Sequence, residues 1–110
     1  MVKEVVRFRL PLGPRTDEFL AVFREVVAAM GELGVNPGVR WSALTGGREV
    51  MVEREFESLA QYEADDSAFH AGKDFMALWR RLEVLADSME VEIWRNSATS
   101  VEVAAQRVRP

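Results

Sequence analysis

Apolar and polar residues alternate along residues 2–10 of the chain. In an extended segment this pattern places Val6, Phe8 and Leu10 on one side. It places Val5, Arg7 and Arg9 on the other. A period of two residues is typical of a β-strand with one buried face. We therefore predict a first strand, β1, here, and the prolines and glycine of residues 11–14 end it.

From residue 17 to residue 33 the apolar residues recur every three or four positions, which predicts an amphipathic helix, α1. Thr16 precedes this stretch and is the expected N-cap, and Gly34 follows it as the expected C-terminal stop. The next residues, Asn36-Pro37-Gly38, have proline and glycine where a type II turn requires them.

Two further alternating stretches, residues 39–45 and residues 49–56, predict strands β2 and β3. Gly46-Gly47 lies between them and is a two-residue signal for a β-hairpin. We therefore expect β2 and β3 to be antiparallel neighbours.

A capping box formed by Ser58 and Gln61 predicts that a second helix begins near residue 58. Its apolar pattern is poor across residues 64–73, where we expect a break or a bend. The helical pattern is clear again from Asp74 to Ala86.

The last alternating stretch, residues 89–95, predicts a fourth strand, β4. The tail that follows lacks strong periodicity, although Val101 and Val103 would fit a short edge strand. We divide the chain into one domain, residues 1–97, and a C-terminal tail, residues 98–110.

The predicted elements follow one another in the order βαββαβ. Each strand has one apolar face, so both helices should cover the same side of an antiparallel sheet. Right-handed crossovers and the β2–β3 hairpin then give an α+β, ferredoxin-like fold with four strands in the order β4-β1-β3-β2. An α+β sandwich with another strand order is the alternative.

The sheet face away from the helices, called the open face below, carries charges whose sign alternates from strand to strand. Its predicted members, in strand order, are Glu90, Glu92 and Trp94; Arg7 and Arg9; Met51, Glu53 and Glu55; and Arg40, Ser42 and Leu44. Opposite charges on neighbouring strands stabilise a sheet by about 0.2–1 kcal/mol per pair, so the alternation supports the strand order. With Arg40 and Ser42 on the open face, Val39 and Trp41 of the same strand are expected to face the helices.

Composition and charge exclude several classes of protein. A chain of 110 residues is long enough for one core, and the absence of cysteine together with a single histidine excludes a disulfide scaffold, a zinc finger, a cysteine nucleophile and a multi-histidine metal cluster. We expect no metal and no cofactor. The net charge is −4, and no basic patch with interleaved aromatic residues is present, so we expect no nucleic-acid partner.

Charges interrupt the apolar run at the N-terminus, and no stretch approaches the roughly 20 apolar residues that a membrane helix needs. We therefore expect no signal peptide, no membrane association and a cytoplasmic location.

Three runs in the second half of the chain carry a family resemblance: Glu55-Phe56-Glu57-Ser58-Leu59-Ala60, Asp74-Phe75-Met76-Ala77-Leu78-Trp79-Arg80-Arg81-Leu82 and Glu90-Val91-Glu92-Ile93-Trp94. They resemble NIPSNAP-like proteins of the dimeric α/β barrel superfamily and, less closely, the antibiotic-biosynthesis monooxygenase group. The resemblance implies a homodimer in which the open faces of two ferredoxin-like protomers form a barrel. It also allows residues 98–110 to contact the partner subunit.

The sequence is compatible with three functions. A binding module would hold a small anionic or polar-aromatic ligand near Arg7, Arg9, Arg40 and Trp94, between the two sheets of the dimer. The resemblance also implies a cofactor-independent monooxygenase, with an aromatic substrate beside Trp41 or Trp79, between sheet and helices. The third is a structural role in which dimerisation is the whole purpose of the open face.

The same residues also have ordinary structural explanations. Trp41 and Trp79 lie at positions expected to pack in the core, and Glu53 and Glu55 face basic neighbours that favour ion pairs over acid–base catalysis. In haem-degrading relatives a histidine ligates the iron, but here β1 carries no assisting asparagine. We therefore expect His70 at the surface or at the helix break.

Overall fold

The computed structural model describes residues 1–43 and 47–95. In chain order the elements are β1 (Val2–Arg9), α1 (Arg15–Leu33), β2 (Val39–Ser42), β3 (Glu49–Phe56), α2 (Leu59–Ala71), α3 (Lys73–Leu85) and β4 (Ser88–Arg95). The strands form one antiparallel sheet in the order β2-β3-β1-β4, which is the predicted order read from the opposite edge. The predicted α+β, ferredoxin-like fold is confirmed.

Some predictions fall outside the described residues. They are the placement of Leu44 on the open face, the glycine hairpin at residue 46, the edge strand at Val101 and Val103, and the partner contact of residues 98–110.

Helix α1 packs against the sheet through one apolar stripe: Phe19, Val22, Phe23, Val26 and Met30. Its predicted C-terminal stop is confirmed, because Gly34 adopts a left-handed conformation with φ of 72°. The predicted N-cap is wrong. The helix begins at Arg15 after Pro14, a residue suited to a helix start, and Thr16 lies inside the first turn, where its hydroxyl donates to the carbonyl of Pro11.

The predicted second helix is divided into α2 and α3 at Gly72. The N-cap is confirmed, since the Ser58 hydroxyl accepts a hydrogen bond from the backbone N–H of Gln61 at 3.2 Å. Helix α2 is continuous through Asp65 and Asp66. The break expected across residues 64–73 is therefore confined to Gly72. A Cβ atom at Gly72 would come within 3.0 Å of the side chain of Leu33, which shows how closely the break packs against α1.

The core lies between the helix-facing side of the sheet and the three helices. Phe8 of β1 is at its centre and makes edge-to-face contacts with Phe19, Phe23 and Trp79, with ring centroids 5.6–6.1 Å apart. Leu82 of α3 is fully buried beside them. This aromatic cluster joins β1 to α1 and α3.

Strand β2 turns its side chains opposite to the prediction. The register pairs Arg40 with Val52 and Trp41 with Met51, and directly paired residues share a face. Trp41 is therefore on the open face and 54% exposed, whereas Arg40 is on the helix-facing side, 5.8 Å from the ring centroid of Phe23. The reason is that all four residues of this short edge strand are exposed, so register rather than burial decides their faces.

Candidate functional site

The open face carries cross-strand ion pairs, one at Arg7 where the alternation predicted it and two at Lys3, which the prediction did not include. The Arg7 guanidinium lies 3.4 Å from a carboxylate oxygen of Glu92 on one neighbouring strand. Lys3 lies 3.3 Å from Glu53 and 3.6 Å from Glu55 on the other strand, and hydrogen bonding to Glu53 is the main cause that raises the pKa of Lys3. The acidic–basic–acidic order across β4, β1 and β3 is therefore present.

The six residues predicted to bind a ligand do not form one site. Arg7 and Trp94 line a shallow depression on the open face, and Arg9 and Trp41 are exposed on the same face. Arg40 and Trp79 lie on the other side of the sheet. The sheet thus separates Arg40 from the residues with which it was grouped.

A second site, called the helix–sheet cavity below, has a volume of about 260 Å³ and lies between the sheet and the helices. All three helices and three of the strands contribute to it, and its walls are mostly apolar and aromatic. The wall residues are Val6, Phe8, Phe23, Val26, Val27, Met30, Pro37, Val52, Phe69, Trp79, Met89 and Val91. An apolar pocket with a few polar groups is the usual form of a small-molecule site.

The polar end of the helix–sheet cavity is built on Arg54 and Glu4, which are buried although both carry charge. Arg54 Nε donates to Glu4 Oε1 at 2.8 Å, and Arg54 Nη2 donates to Glu4 Oε2 at 3.1 Å. The hydroxyl of Tyr62 donates to the same Glu4 Oε2 at 3.0 Å. Strands β1 and β3 are thereby joined to helix α2 at the cavity.

Asp65 completes this cluster from behind the cavity wall. Its Oδ1 accepts from Arg54 Nη1 at 2.6 Å, and its Oδ2 accepts from the backbone N–H of Asn36 at 2.8 Å. Among the described residues, every buried side-chain nitrogen and oxygen has a hydrogen-bond partner. The cluster is therefore a satisfied network, which is the condition under which buried polar groups are stable.

The protonation states in the network follow from this geometry. Burial, reinforced by the charge of Glu4 and the hydrogen bond to it, raises the pKa of Tyr62 to about 12, so the phenol remains a donor at neutral pH. Burial alone would lower the pKa of Arg54, but hydrogen bonds and charges from Glu4 and Asp65 outweigh it and raise that pKa. Arg54 is accordingly a permanent cation with carboxylates on two sides.

Three polar residues at the more exposed part of the lining form what we call the mouth: Asp66, His70 and Glu83. Nδ1 of His70 lies 2.8 Å from the backbone carbonyl of Asp66 and 3.5 Å from its carboxylate, within the last turn of α2. His70 is thus exposed, as expected, and also lines the helix–sheet cavity. In residues 1–43 and 47–95, no cluster of histidine and acidic side chains is arranged to hold a metal ion.

The sequence contained a signal for part of this site that the prediction did not use. Glu4 alternates with the apolar residues of the buried face of β1, and Arg54 does the same on β3. Two opposite charges on the apolar faces of strands predicted to be neighbours indicate a buried pair. Tyr62 and Asp65 had no such signal, because the apolar pattern of α2 is weak.

No protein-family model and no curated protein sequence matches the chain. Several solved structures match it. An uncharacterised NIPSNAP domain protein from Burkholderia xenovorans matches with a TM-score of 0.70 and 17% identity, over 89% of this chain and 96% of that one. SnoaB, a cofactor-independent oxygenase from Streptomyces nogalater, matches in a mutant form with a TM-score of 0.62 and 17% identity, over 87% and 92%.

A dimeric ferredoxin-like protein from an uncultured marine organism also matches, with a TM-score of 0.62 and 11% identity over 84% of each chain. The class of protein follows from these matches and from the topology: the chain has the ferredoxin-like fold that NIPSNAP domain proteins share with antibiotic-biosynthesis monooxygenases. The resemblance predicted from the sequence is confirmed as a resemblance of fold. Among the helices of the described residues, none has the length and apolar character needed to cross a membrane.

Proposed function

We propose that this NIPSNAP-like protein binds a small molecule in the helix–sheet cavity. The observation that carries the proposal is the cavity itself, about 260 Å³ of space between the sheet and the helices. A dry cavity of about 150 Å³ is large enough to bind benzene. The space here therefore suits a body of one or two fused rings.

The lining supports an aromatic or aliphatic body with one polar group. The rings of Phe8, Phe23, Phe69 and Trp79 would contact the body, and Glu4 would accept a hydrogen bond from the polar group. Apolar walls supply affinity through burial, whereas a few polar groups orient a ligand.

Binding of 1-naphthalenemethanol, measured by isothermal titration calorimetry, tests this proposal. Val52→Phe adds a ring inside the cavity and is expected to abolish the heat of binding, and Val52→Ile to weaken it less. Val84→Phe adds the same ring at an exposed position of α3 outside the cavity lining and is expected to leave binding unchanged. Far-UV circular dichroism confirms that each variant is folded. Equal binding by wild type and Val52→Phe would refute the site.

We also propose that two copies of the chain associate through their open faces. Trp41, Trp94 and Val39 are more than half exposed there, beside the ion pairs of Arg7 and Lys3. A protein of the same fold that is described as dimeric supports the association of two copies. Arg7, Arg9 and Trp94 would then line a hydrated space between the sheets, since burying unpaired charges without water is costly.

Sedimentation equilibrium tests the dimer. The wild type is expected at twice 12.4 kDa, and Trp41→Lys, which places a charge on the open face, is expected to shift the population towards the monomer. Val84→Lys, on the exposed side of α3, is the control and should remain dimeric. A wild-type protein that sediments at 12.4 kDa would exclude the dimer.

A second candidate function is an oxygenase that needs no cofactor. The observation that favours it is that Trp79 and the carboxylate of Glu4 both line the cavity in a fold shared with SnoaB. Oxidation of 1-naphthol by one O₂ to 1,4-naphthoquinone and one water would require a base for the phenolic proton, and Glu4 is the buried carboxylate at hand. Oxygen uptake with 1-naphthol that Glu4→Gln abolishes would support an enzyme; no uptake above the protein-free rate would exclude it for this substrate.

A further inference from the structure

The lining of the helix–sheet cavity carries more acidic than basic side chains. Glu4, Asp66 and Glu83 are acidic, whereas the basic side chains among the described lining residues are Arg54 and His70. Arg54 is paired with Glu4 and also with Asp65, a second acid just outside the cavity. Acidic side chains therefore outnumber basic ones in the lining of this space, three to two.

Most of the hydrogen-bonding capacity of Arg54 is already used within the protein. Its guanidinium has five N–H groups, of which four donate to protein acceptors. Nε and Nη2 donate to Glu4, and Nη1 donates to Asp65 and, at 3.2 Å, to the backbone carbonyl of Asn36. The guanidinium carbon also lies 5.3 Å from the ring centroid of Phe56 and 5.8 Å from that of Phe69. A carboxylate or sulfonate entering the cavity would meet Glu4 and Asp66, and the guanidinium beside them is already paired with two carboxylates.

The walls favour a cation independently of these charges. Five aromatic side chains line the space, namely Phe8, Phe23, Tyr62, Phe69 and Trp79, and Phe69 packs edge-to-face on Trp79 with ring centroids 5.2 Å apart. The faces of aromatic rings attract ammonium groups, most strongly where water is excluded. Acidic groups and aromatic rings thus select the same ligand charge.

We propose that the ligand of the helix–sheet cavity is an organic ammonium ion: a one- or two-ring or similarly sized apolar body that carries a protonated amine. This inference rests on the proposed function and specifies the chemical class of its ligand. The apolar body would lie against Val6, Val26 and Val52, and the ammonium group would lie near the acidic residues. The small anionic or polar-aromatic ligand expected from the sequence was placed on the open face, so it concerns a different site from this cavity.

Three probes of the same size and different charge test the inference: 1-naphthylmethylamine, 1-naphthalenemethanol and 1-naphthoic acid. Isothermal titration calorimetry at pH 7.5 is expected to show the amine binding about tenfold more tightly than the alcohol, and the acid more weakly than either. Raising the salt concentration should weaken the binding of the amine and leave the binding of the alcohol unchanged, because only the amine is held by charge.

Variants assign the selectivity to the cavity. Glu83→Gln removes one acidic group from the mouth and is expected to lower the amine-to-alcohol affinity ratio by about threefold. Glu32→Gln removes the same charge from an exposed position of α1 that does not line the cavity, and should leave the ratio unchanged.

The possible outcomes separate the two proposals. Binding of the alcohol at least as tightly as the amine would overturn the inference and leave the proposed cavity site intact. Tightest binding by the acid would overturn it in favour of an anionic ligand. Failure of all three probes to bind would overturn both proposals.

Discussion

Arg54 and Glu4 form a doubly hydrogen-bonded ion pair, with N–O distances of 2.8 and 3.1 Å, on the side of the sheet that faces the helices. Their positions are opposite one another on adjacent strands β3 and β1. Arg54 is 3% exposed and Glu4 7%, so water does little to screen the pair. The pair thus joins the two central strands at the point where the cavity begins.

Removal of Arg54 should destabilise the protein strongly. Arg54→Met leaves the carboxylates of Glu4 and Asp65 without their cation, and loss of one partner of a buried ion pair costs about 3–5 kcal/mol in the free energy of unfolding. Urea denaturation followed by circular dichroism measures this change. Arg24→Met, on the exposed face of α1, should change stability by less than about 0.5 kcal/mol.

The double variant Glu4→Gln/Arg54→Met should recover part of the lost stability, because it removes one of the two uncompensated charges. If Arg54→Met were no more destabilising than Arg24→Met, the ion pair would have no stabilising role.

The chain's single tyrosine should lose its proton at an unusually high pH. The pKa of Tyr62 is raised to about 12, chiefly by burial and then by Glu4, so absorbance at 295 nm is expected to show its midpoint near pH 12 in the folded protein. Glu4→Gln removes the negative charge beside the phenol and should move the midpoint back towards 10.0. A midpoint near 10 in the wild type would contradict both the burial of the phenol and its hydrogen bond to Glu4.

The raised pKa of Tyr62 also sets the direction of a stability change with pH. The folded protein holds the phenolic proton more tightly than the unfolded chain, so this contribution is fully present below pH 10 and is lost as the pH rises towards about 12. Tyr62→Phe should make the free energy of unfolding less dependent on pH across that interval. An unchanged pH dependence in the variant would assign the loss of stability to other groups.

Gly38 should tolerate no side chain. Its φ is 74°, and a Cβ atom there would lie 2.5 Å from the backbone carbonyl of Glu53. Gly38→Ala is therefore expected to cost more than about 2 kcal/mol, from the left-handed backbone and the steric overlap together. Gly13→Ala is the matched control: its φ is 70° with nothing within 4 Å, so only the backbone cost of about 1–2 kcal/mol applies. Equal effects in urea denaturation would show that the overlap relaxes.

Most of the fold was predictable because local signals agreed with the tertiary arrangement. The alternation in β1, β3 and β4 identified the correct faces, since mostly apolar residues recur at every second position on the helix-facing side of these strands. Strand β2 was the exception, because its apolar residues Val39 and Trp41 are exposed on the open face, so its alternation indicated the wrong side. The misplacement of Arg40 and Trp41 in the candidate site follows from this one strand.

The candidate cavity was less predictable than the fold. Trp79 was placed on the core side by its helical spacing, and the structure confirms that it packs against Phe8 and Phe69. The sequence could not show that the packing around it leaves a space. A void depends on how side chains from six elements fit together, and no local pattern records that fit.

The sequence by itself determined the order of the elements, the ferredoxin-like topology and the acidic–basic–acidic order of β4, β1 and β3 on the open face, because each depends on periodicity or on short connections within the chain. Tertiary structure decided the register of β2, the division of the second helix at Gly72 and the meeting of Glu4, Arg54, Tyr62 and Asp65. These depend on contacts between residues far apart in the chain. Glu4 and Arg54 are 50 positions apart, and only the pairing of β1 with β3 brings them together.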